Sequence, residues 1–125
     1  MSSTLLVIAA ILLALLGVLH SIIGEASIIR PLLRRDDLPV VLGGQDYTAG
    51  VIRFAWHITS LLAIGLAVVL VLSAFGSDWR AIATAVGVMC LVCAVLPVVY
   101  TRGRHPSWAI FGVAGAICLA AAIIA

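Results

Sequence analysis

Four ionisable side chains in the first two hydrophobic stretches of the sequence are the residues best able to do chemistry. His20 and Glu25 lie in the first stretch, and Arg53 and His57 lie in the second. An ionisable group at the centre of a membrane-spanning helix costs about 2.5–3.5 kcal/mol on insertion scales, so such residues are candidates for function by default. Imidazoles bind metals and carry protons, and a guanidinium binds anionic groups. These four residues therefore define a candidate site.

Helical spacing places these residues on two facing surfaces. At about 100° per residue, His20, Ser21 and Glu25 share one face of the first helix, and Arg53 and His57 share one face of the second. Residues that meet between antiparallel helices have a nearly constant summed number, and Glu25 with Arg53 has the same sum as Ser21 with His57. This register predicts that Glu25 lies opposite Arg53. About one turn deeper, it places His20 or Ser21 opposite His57.

The chemistry of this cluster stays open between a structural and several functional interpretations. It can be a polar clamp that holds the two helices in register. Alternatively, His20 and His57 bind a haem between them, or a divalent metal is bound by these histidines with Glu25 or His105. It can also be a proton- or substrate-binding pocket in which Arg53 holds an anionic head group. The cofactor is therefore unknown, with haem or a divalent metal as the candidates.

Four aromatic residues near the same end of the helices predict an aromatic belt at the membrane surface. They are Tyr47, Trp56, Tyr100 and Trp108, and Trp56 also belongs to the polar face of the second helix. His105 precedes the fourth hydrophobic helix. It is either a third imidazole of the cluster or a solvated loop residue.

Three cysteines lie inside hydrophobic stretches, at positions 90, 93 and 118. Buried cysteine behaves as a small apolar residue, so we expect these three to pack between helices. A buried three-thiol metal site is the alternative. An extracellular disulfide framework is not expected, because such frameworks belong to small secreted domains.

The composition identifies the class of protein that carries these residues. Of 125 residues, 65% are hydrophobic and 10% are charged, with a mean hydropathy of +1.33. Soluble domains average about 45–50% apolar and about 25% charged residues. Uncharged stretches cover residues 1–24, 54–77, 81–101 and 105–125, and about 20 helical residues suffice to cross a bilayer. The sequence predicts an integral membrane protein and excludes a soluble enzyme, a nucleic-acid-binding domain, a secreted scaffold and a disordered tail.

The predicted fold is all-α: a single domain in which four transmembrane helices form an antiparallel bundle. The helices are expected at residues 4–29, 50–75, 80–100 and 106–125. Pro31 is expected to end the first helix, because proline lacks a backbone donor. Pro97 is expected to kink the third helix and Pro106 to open the fourth. Residues 31–49 form either a connector at the membrane surface or a lid hinged at Gly43 and Gly44.

The arginines predict the orientation of the helices. Six of the seven arginines fall on one side of the predicted membrane, where the first helix ends and the second begins. Positive residues in short loops stay cytoplasmic, so both termini are expected outside. The first stretch lacks the basic start of a signal peptide and is longer than a typical signal core. It is therefore expected to remain as a helix in a bacterial cytoplasmic membrane.

Three functions are compatible with this pattern. The first is a non-enzymatic binding or accessory subunit whose polar cluster is structural or holds a ligand. The second is an oligomeric minimal transporter or channel that uses the cluster to bind protons or substrate. The third is a haem- or metal-binding protein with His20 and His57 as ligands. Hydrolase chemistry is disfavoured, because the sequence shows no serine or cysteine beside a histidine in an exposed elbow. The expected partners are the lipid bilayer and either further copies or a larger membrane complex, and no nucleic acid.

Overall fold

The computed structural model describes residues 2–124 and is all-helical within that range. It contains four helices that are long and apolar enough to span a membrane. Helix α1 is continuous through three segments, Ser2–Gly24, a π-helical turn at Glu25–Ile29, and Arg30–Leu32; α2 is Gln45–Ala74, α3 is Trp79–Thr101, and α4 is Ser107–Ile124. The prediction of four apolar helices is therefore confirmed.

The end of α1 differs from the prediction, because the helix continues past Ile29 to Leu32. A proline ring normally clashes with the carbonyl four residues earlier. Here the preceding turn widens to the π form, and the Arg30 amide donates to the Glu25 carbonyl five residues back. The helix then closes with the Leu33 amide bonded to the Ile29 carbonyl at 2.9 Å. The widened turn thus accommodates Pro31 within the helix.

Helix α2 begins at Gln45, five residues before the predicted start, so the connection is shorter than residues 31–49. Gly44 precedes the helix with a φ of 154°, a backbone conformation that glycine adopts readily. The Gln45 side-chain Nε2 donates to the carbonyls of Asp36 and Leu38, and the Thr48 hydroxyl donates to the Pro39 carbonyl. These three bonds hold the connection against the first turn of α2.

The other two connections, residues 75–78 and 102–106, are tight turns. Gly76 has a φ of 70°, and the Asp78 carboxylate accepts a hydrogen bond of 3.0 Å from the Ala81 amide, which caps α3. At the other end of α3, Arg102 adopts the left-handed conformation. Helix α4 starts at Ser107, one residue after the predicted Pro106. These turns reverse the chain and make consecutive helices antiparallel.

The four helices pack in series. Within residues 2–124, each helix approaches only its neighbours in the chain with Cα atoms inside 8 Å: α1 packs on α2, α2 on α3, and α3 on α4. Glycines permit the close approaches, such as Gly17 against the Ser60 carbonyl and Gly87 against Gly115. In the 18-residue apolar stretch of each helix, only 6–17% of the residues are buried inside the protein. Much of the apolar surface of the helices therefore faces outward. A bilayer is the environment that covers such a surface.

Candidate functional site

Glu25 is the centre of a charged cluster between α1 and α2. Its Oε1 lies 3.0 Å from Arg53 Nη2, and its Oε2 accepts from Arg53 Nε at 3.3 Å. The Arg30 Nε donates to Oε1 at 3.4 Å, and His57 Nε2 lies 3.3 Å from Oε2. Only 20% of the Glu25 side chain is exposed. The predicted opposition of Glu25 and Arg53 is thus present, and a two-pronged guanidinium contact is the strongest form of such a pair.

The π-helical turn explains how Arg30 joins this cluster. In a regular α-helix, residues five apart differ by about 140° around the axis and do not share a face. The wider turn at Glu25–Ile29 rotates the chain less per residue, which brings Arg30 round to Glu25. Such turns occur often at functional sites. The turn therefore accommodates Pro31 and places a second arginine on the same carboxylate.

Ser21 and His57 extend the cluster by one helical turn. Ser21 Oγ lies 2.9 Å from His57 Nδ1, as the shared register of Ser21 with His57 predicts. One histidine tautomer satisfies both ring nitrogens: the Ser21 hydroxyl donates to Nδ1, and the Nε2 hydrogen is donated to Glu25. Ser21 and Glu25 are four residues apart on one face of α1, so a single imidazole bridges them. We call Ser21, Glu25, Arg30, Arg53 and His57 the Glu25 cluster.

The contact between Ser21 and His57 places a serine beside a histidine, but not in an exposed elbow. The two residues are 36 positions apart, and the packing of α1 on α2 brings them together. Ser21 lies within α1, whereas the sequence pattern that disfavours hydrolase chemistry concerns only a serine in an exposed elbow.

Tyr100 of α3 also faces the Glu25 cluster, although the sequence pattern assigned it to the aromatic belt. Its ring lies 5.9 Å from Arg53 Cζ and 6.3 Å from the His57 ring. A guanidinium within about 6 Å of an aromatic ring is attracted to its face. The position of Tyr100 near the end of α3 could have predicted this contact, because an antiparallel α3 places that end level with Arg53. Three helices therefore contribute to the site.

His20 belongs to a separate polar group deeper between α1 and α2. Its Nδ1 lies 2.9 Å from Ser60 Oγ, and its ring stacks on Trp56 with centroids 4.4 Å apart and planes 5° apart. The Trp56 indole donates to the His20 carbonyl at 3.0 Å, and Thr59 Oγ1 lies 3.5 Å from His20 Nδ1. We call His20, Trp56, Thr59 and Ser60 the His20 group. Of the two predicted partners for His57, the structure selects Ser21.

Gly24 makes room for this arrangement. A Cβ atom at position 24 would collide with the Trp56 indole ring, which packs directly against the α1 backbone. The indole is also fixed by its hydrogen bond to the His20 carbonyl and by the stacked imidazole. The His20 group is therefore held from both helices and serves to lock α1 against α2.

His105 lies outside both groups. Its ring packs edge-on against Phe54 at 4.9 Å and stacks with Tyr47 at 6.5 Å, and its Nδ1 lies 2.8 Å from Ser107 Oγ. Tyr47 and Phe54 are 4% and 5% exposed, so His105 joins a packed aromatic contact. Over residues 2–124, no three His, Cys, Asp or Glu side chains are grouped so as to hold a metal ion. Ligation of haem by His20 and His57 stays a prediction.

A cleft opens beside the Glu25 cluster, lined mainly by α1 and also by His57 of α2. It has a volume of about 490 Å³ and is lined by Ser21, Ile22, Glu25, Ala26, Arg30 and His57. The cleft gives an outside molecule access to the serine, the imidazole and one arginine. Its remaining walls, Ile22 and Ala26, are apolar. The cleft therefore combines polar groups with a surface suited to a hydrocarbon chain.

Comparison with known proteins identifies no relative. No protein-family model matches the chain, and neither a curated protein nor a solved structure matches it. The function must therefore be argued from the site and from the packing of the helices.

Proposed function

We propose that the protein is a small integral membrane subunit with a binding or accessory role, as a homo-oligomer or within a larger membrane complex. The main support for this proposal is that, within residues 2–124, each helix packs only on its neighbours in the chain. In the described part of the chain, α1 and α4 each pack on one helix only, and α1 does not reach α3 or α4. A single row of four helices does not surround a passage through the membrane. Both broad faces of the row are open to lipid or to further helices.

The Glu25 cluster supports a binding role at one end of this row. Its carboxylate is neutralised by Arg53, while Arg30 uses only Nε on Glu25 and keeps 64% of its side chain exposed. An exposed guanidinium beside an apolar cleft suits a membrane molecule with an anionic head group. The same residues also hold α1 and α2 in register, so they would both bind the ligand and stabilise the helix pair.

The oligomeric state tests this proposal. We expect the full chain, extracted in mild detergent and reconstituted in lipid nanodiscs at native expression levels, to be present as two or more copies or with a stoichiometric partner. Native mass spectrometry measures the mass of the particle directly. A strictly monomeric particle without a partner, retained across detergent and nanodisc, would contradict the accessory role.

Transport is the second candidate, and the hydrogen bond between His57 and Glu25 favours it. The two groups lie 3.3 Å apart beside the open cleft, and paired His and Glu side chains within membranes commonly carry protons. Because one row encloses no passage, transport requires several copies. A closed ring of copies in the mass measurement would favour this function over an accessory subunit.

We further propose that the arginine-rich end faces the cytoplasm of a bacterial cell, with both termini outside. Arg30, Arg53 and Arg104 lie at this end, and Arg80 lies at the other. Arginines near helix ends are retained on the cytoplasmic side. The bacterial cytoplasmic membrane is accordingly the proposed location.

Single introduced cysteines test this orientation. We expect a membrane-impermeant maleimide to label Ser77→Cys in intact cells, whereas Arg35→Cys should be labelled only after lysis. The unsubstituted chain, with its three cysteines inside the helices, supplies the background. The reverse pattern of labelling would invert the proposed topology.

A further inference from the structure

Ser21, His57 and Glu25 form a continuous hydrogen-bonded sequence that ends at an open cleft. We propose that this sequence is a nucleophilic relay, in which Ser21 attacks the carbonyl carbon of an ester whose acyl chain lies in the membrane. The inference goes beyond the binding role above, since it assigns a reaction to residues that already hold α1 and α2 together. A serine, a base and a carboxylate in hydrogen-bond contact are the recurring elements of serine nucleophiles on unrelated folds.

The distances fit the resting state of such a relay. Ser21 Oγ is 2.9 Å from His57 Nδ1, and His57 Nε2 is 3.3 Å from Glu25 Oε2. With Nδ1 unprotonated, the imidazole is placed to take the serine proton, and the imidazolium that results faces a carboxylate. Arg53 holds that carboxylate at 3.0 Å. In the usual serine triad, Nε2 of the histidine contacts the serine and Nδ1 contacts the carboxylate. Here Nδ1 contacts Ser21 and Nε2 contacts Glu25.

A second serine–histidine pair in the chain, Ser60 with His20, can be compared with Ser21 and His57. Ser60 and His20 also lie 2.9 Å apart. No carboxylate completes that pair among the hydrogen bonds of residues 2–124, where the other neighbours of His20 are Trp56 and Thr59. Ser60 lines a smaller cleft of about 200 Å³ together with His20, but it is only 3% exposed, whereas Ser21 is half-buried and lines the cleft of about 490 Å³. The Glu25 cluster alone thus combines access, a base and a countercharge.

The lining of the cleft defines the class of substrate. Ile22 and Ala26 offer an apolar wall for an acyl chain, and Arg30 lines the same space with a largely exposed guanidinium. Arg30 lies two residues before the end of α1, whereas Ser21 and His57 lie nearer the middle of α1 and α2. Both Arg30 and Ser21 line the cleft, so a lipid ester reaches the serine by entering the cleft from the Arg30 end. Arg30, which also lines the cleft, is the cation suited to the anionic head group of such a lipid.

The reaction balances with water as the second substrate. Ser21 Oγ bonds to the carbonyl carbon, its proton passes to His57 Nδ1, and the carbonyl electron pair moves to oxygen. When that pair returns, the bond to the alcohol oxygen breaks and the alcohol leaves with the proton from Nδ1. Water then attacks the Ser21 ester with His57 as base. The products are a fatty acid and an alcohol, and the serine hydroxyl is restored.

An alkyl fluorophosphonate tests the proposal directly, because an activated serine displaces fluoride from its phosphorus. The full-length protein in detergent micelles is incubated with the probe, and the modified residue is located by peptide mass spectrometry. We expect modification at Ser21 and background modification at Ser60. Localisation on the unsubstituted chain does not depend on how any variant folds.

Variants then separate the relay from nonspecific reaction. Ser21→Ala should abolish labelling, and Ser60→Ala should retain the labelling rate of the unsubstituted protein. General-base assistance contributes about 10²–10⁴-fold in such steps, so His57→Gln should slow labelling at least about 100-fold. Absence of labelling, equal labelling of Ser21 and Ser60, or full labelling of the Ser21→Ala protein would each overturn the proposal. The oligomeric state does not enter this result, so the accessory role can fail independently.

Discussion

Replacing Gly50 by alanine is expected to destabilise the folded protein by about 2–3 kcal/mol, in the upper range for an overpacked contact. A Cβ atom at position 50 would collide with the Tyr100 carbonyl oxygen and lie 2.9 Å from its carbonyl carbon. Both atoms belong to the α3 backbone, so a side-chain rotation cannot relieve the contact and the two helices must separate. Tyr100 also faces Arg53 and His57. Separation would therefore loosen the Glu25 cluster as well.

Reversible unfolding in mixed micelles measures this loss, and Gly112→Ala is the matched control. A Cβ atom at Gly112 meets nothing within 4 Å. Glycine inside a helix is less favourable than alanine by roughly 0.5–1 kcal/mol, so the control should be unchanged or more stable. Equal stabilities of the two variants would show that α2 and α3 do not approach each other at Gly50.

Glu25→Ala is expected to cost about 2–3 kcal/mol. It leaves Arg53 without its countercharge and His57 Nε2 without its hydrogen-bond acceptor. Breaking a fully buried pair from one side costs about 3–5 kcal/mol, and the partial exposure of Arg53, 31% of its side chain, reduces that cost. The double variant Glu25→Ala, Arg53→Ala removes both charges. It should therefore be more stable than the sum of the single losses predicts.

Arg35→Ala provides the control for charge removal. Arg35 pairs with Asp37 at 2.6 Å, but 61% and 68% of the two side chains are exposed. Such exposed pairs contribute little to stability because solvent screens them, so the unfolding free energy of this variant should stay close to that of the unsubstituted protein. Additive losses at Glu25 and Arg53, or a loss at Arg35 as large as that at Glu25, would argue against a coupled pair in the cluster.

The pairing of α1 with α2 could be predicted from the sequence because it follows from two regularities. Helical periodicity fixes which residues share a face, and antiparallel packing fixes which residues lie at one depth. Together they placed Glu25 opposite Arg53 and Ser21 opposite His57. They left His20 ambiguous, because neighbouring residues on one face differ by less than a turn. In the structure, the Trp56 ring packs beside Gly24 and stacks on His20. His20 is thereby held next to Trp56, and Ser21 is the residue that contacts His57.

The features that could not be predicted depend on interactions without periodic signals. Hydrophobic spacing does not reveal the π-helical turn, so Pro31 was expected to end α1. His105 lies in a short connection, and its position follows from contacts with Tyr47 and Phe54 rather than from spacing. A closed bundle and an open row also have the same composition. In lipid, apolar surface does not itself drive helices together, and small residues and polar contacts decide which pairs form.

The serial packing has a consequence for how the protein is made. Each interface joins segments adjacent in the chain, so each helix after the first finds the preceding helix already in the bilayer. No helix has to wait for a distant one, and no early contact has to break for a later one to form. Stability in such an array is close to a sum over nearest neighbours, as in repeat proteins. The turn at Gly76 divides the chain into two hairpins that each retain their own interface, and these hairpins are the natural units of insertion.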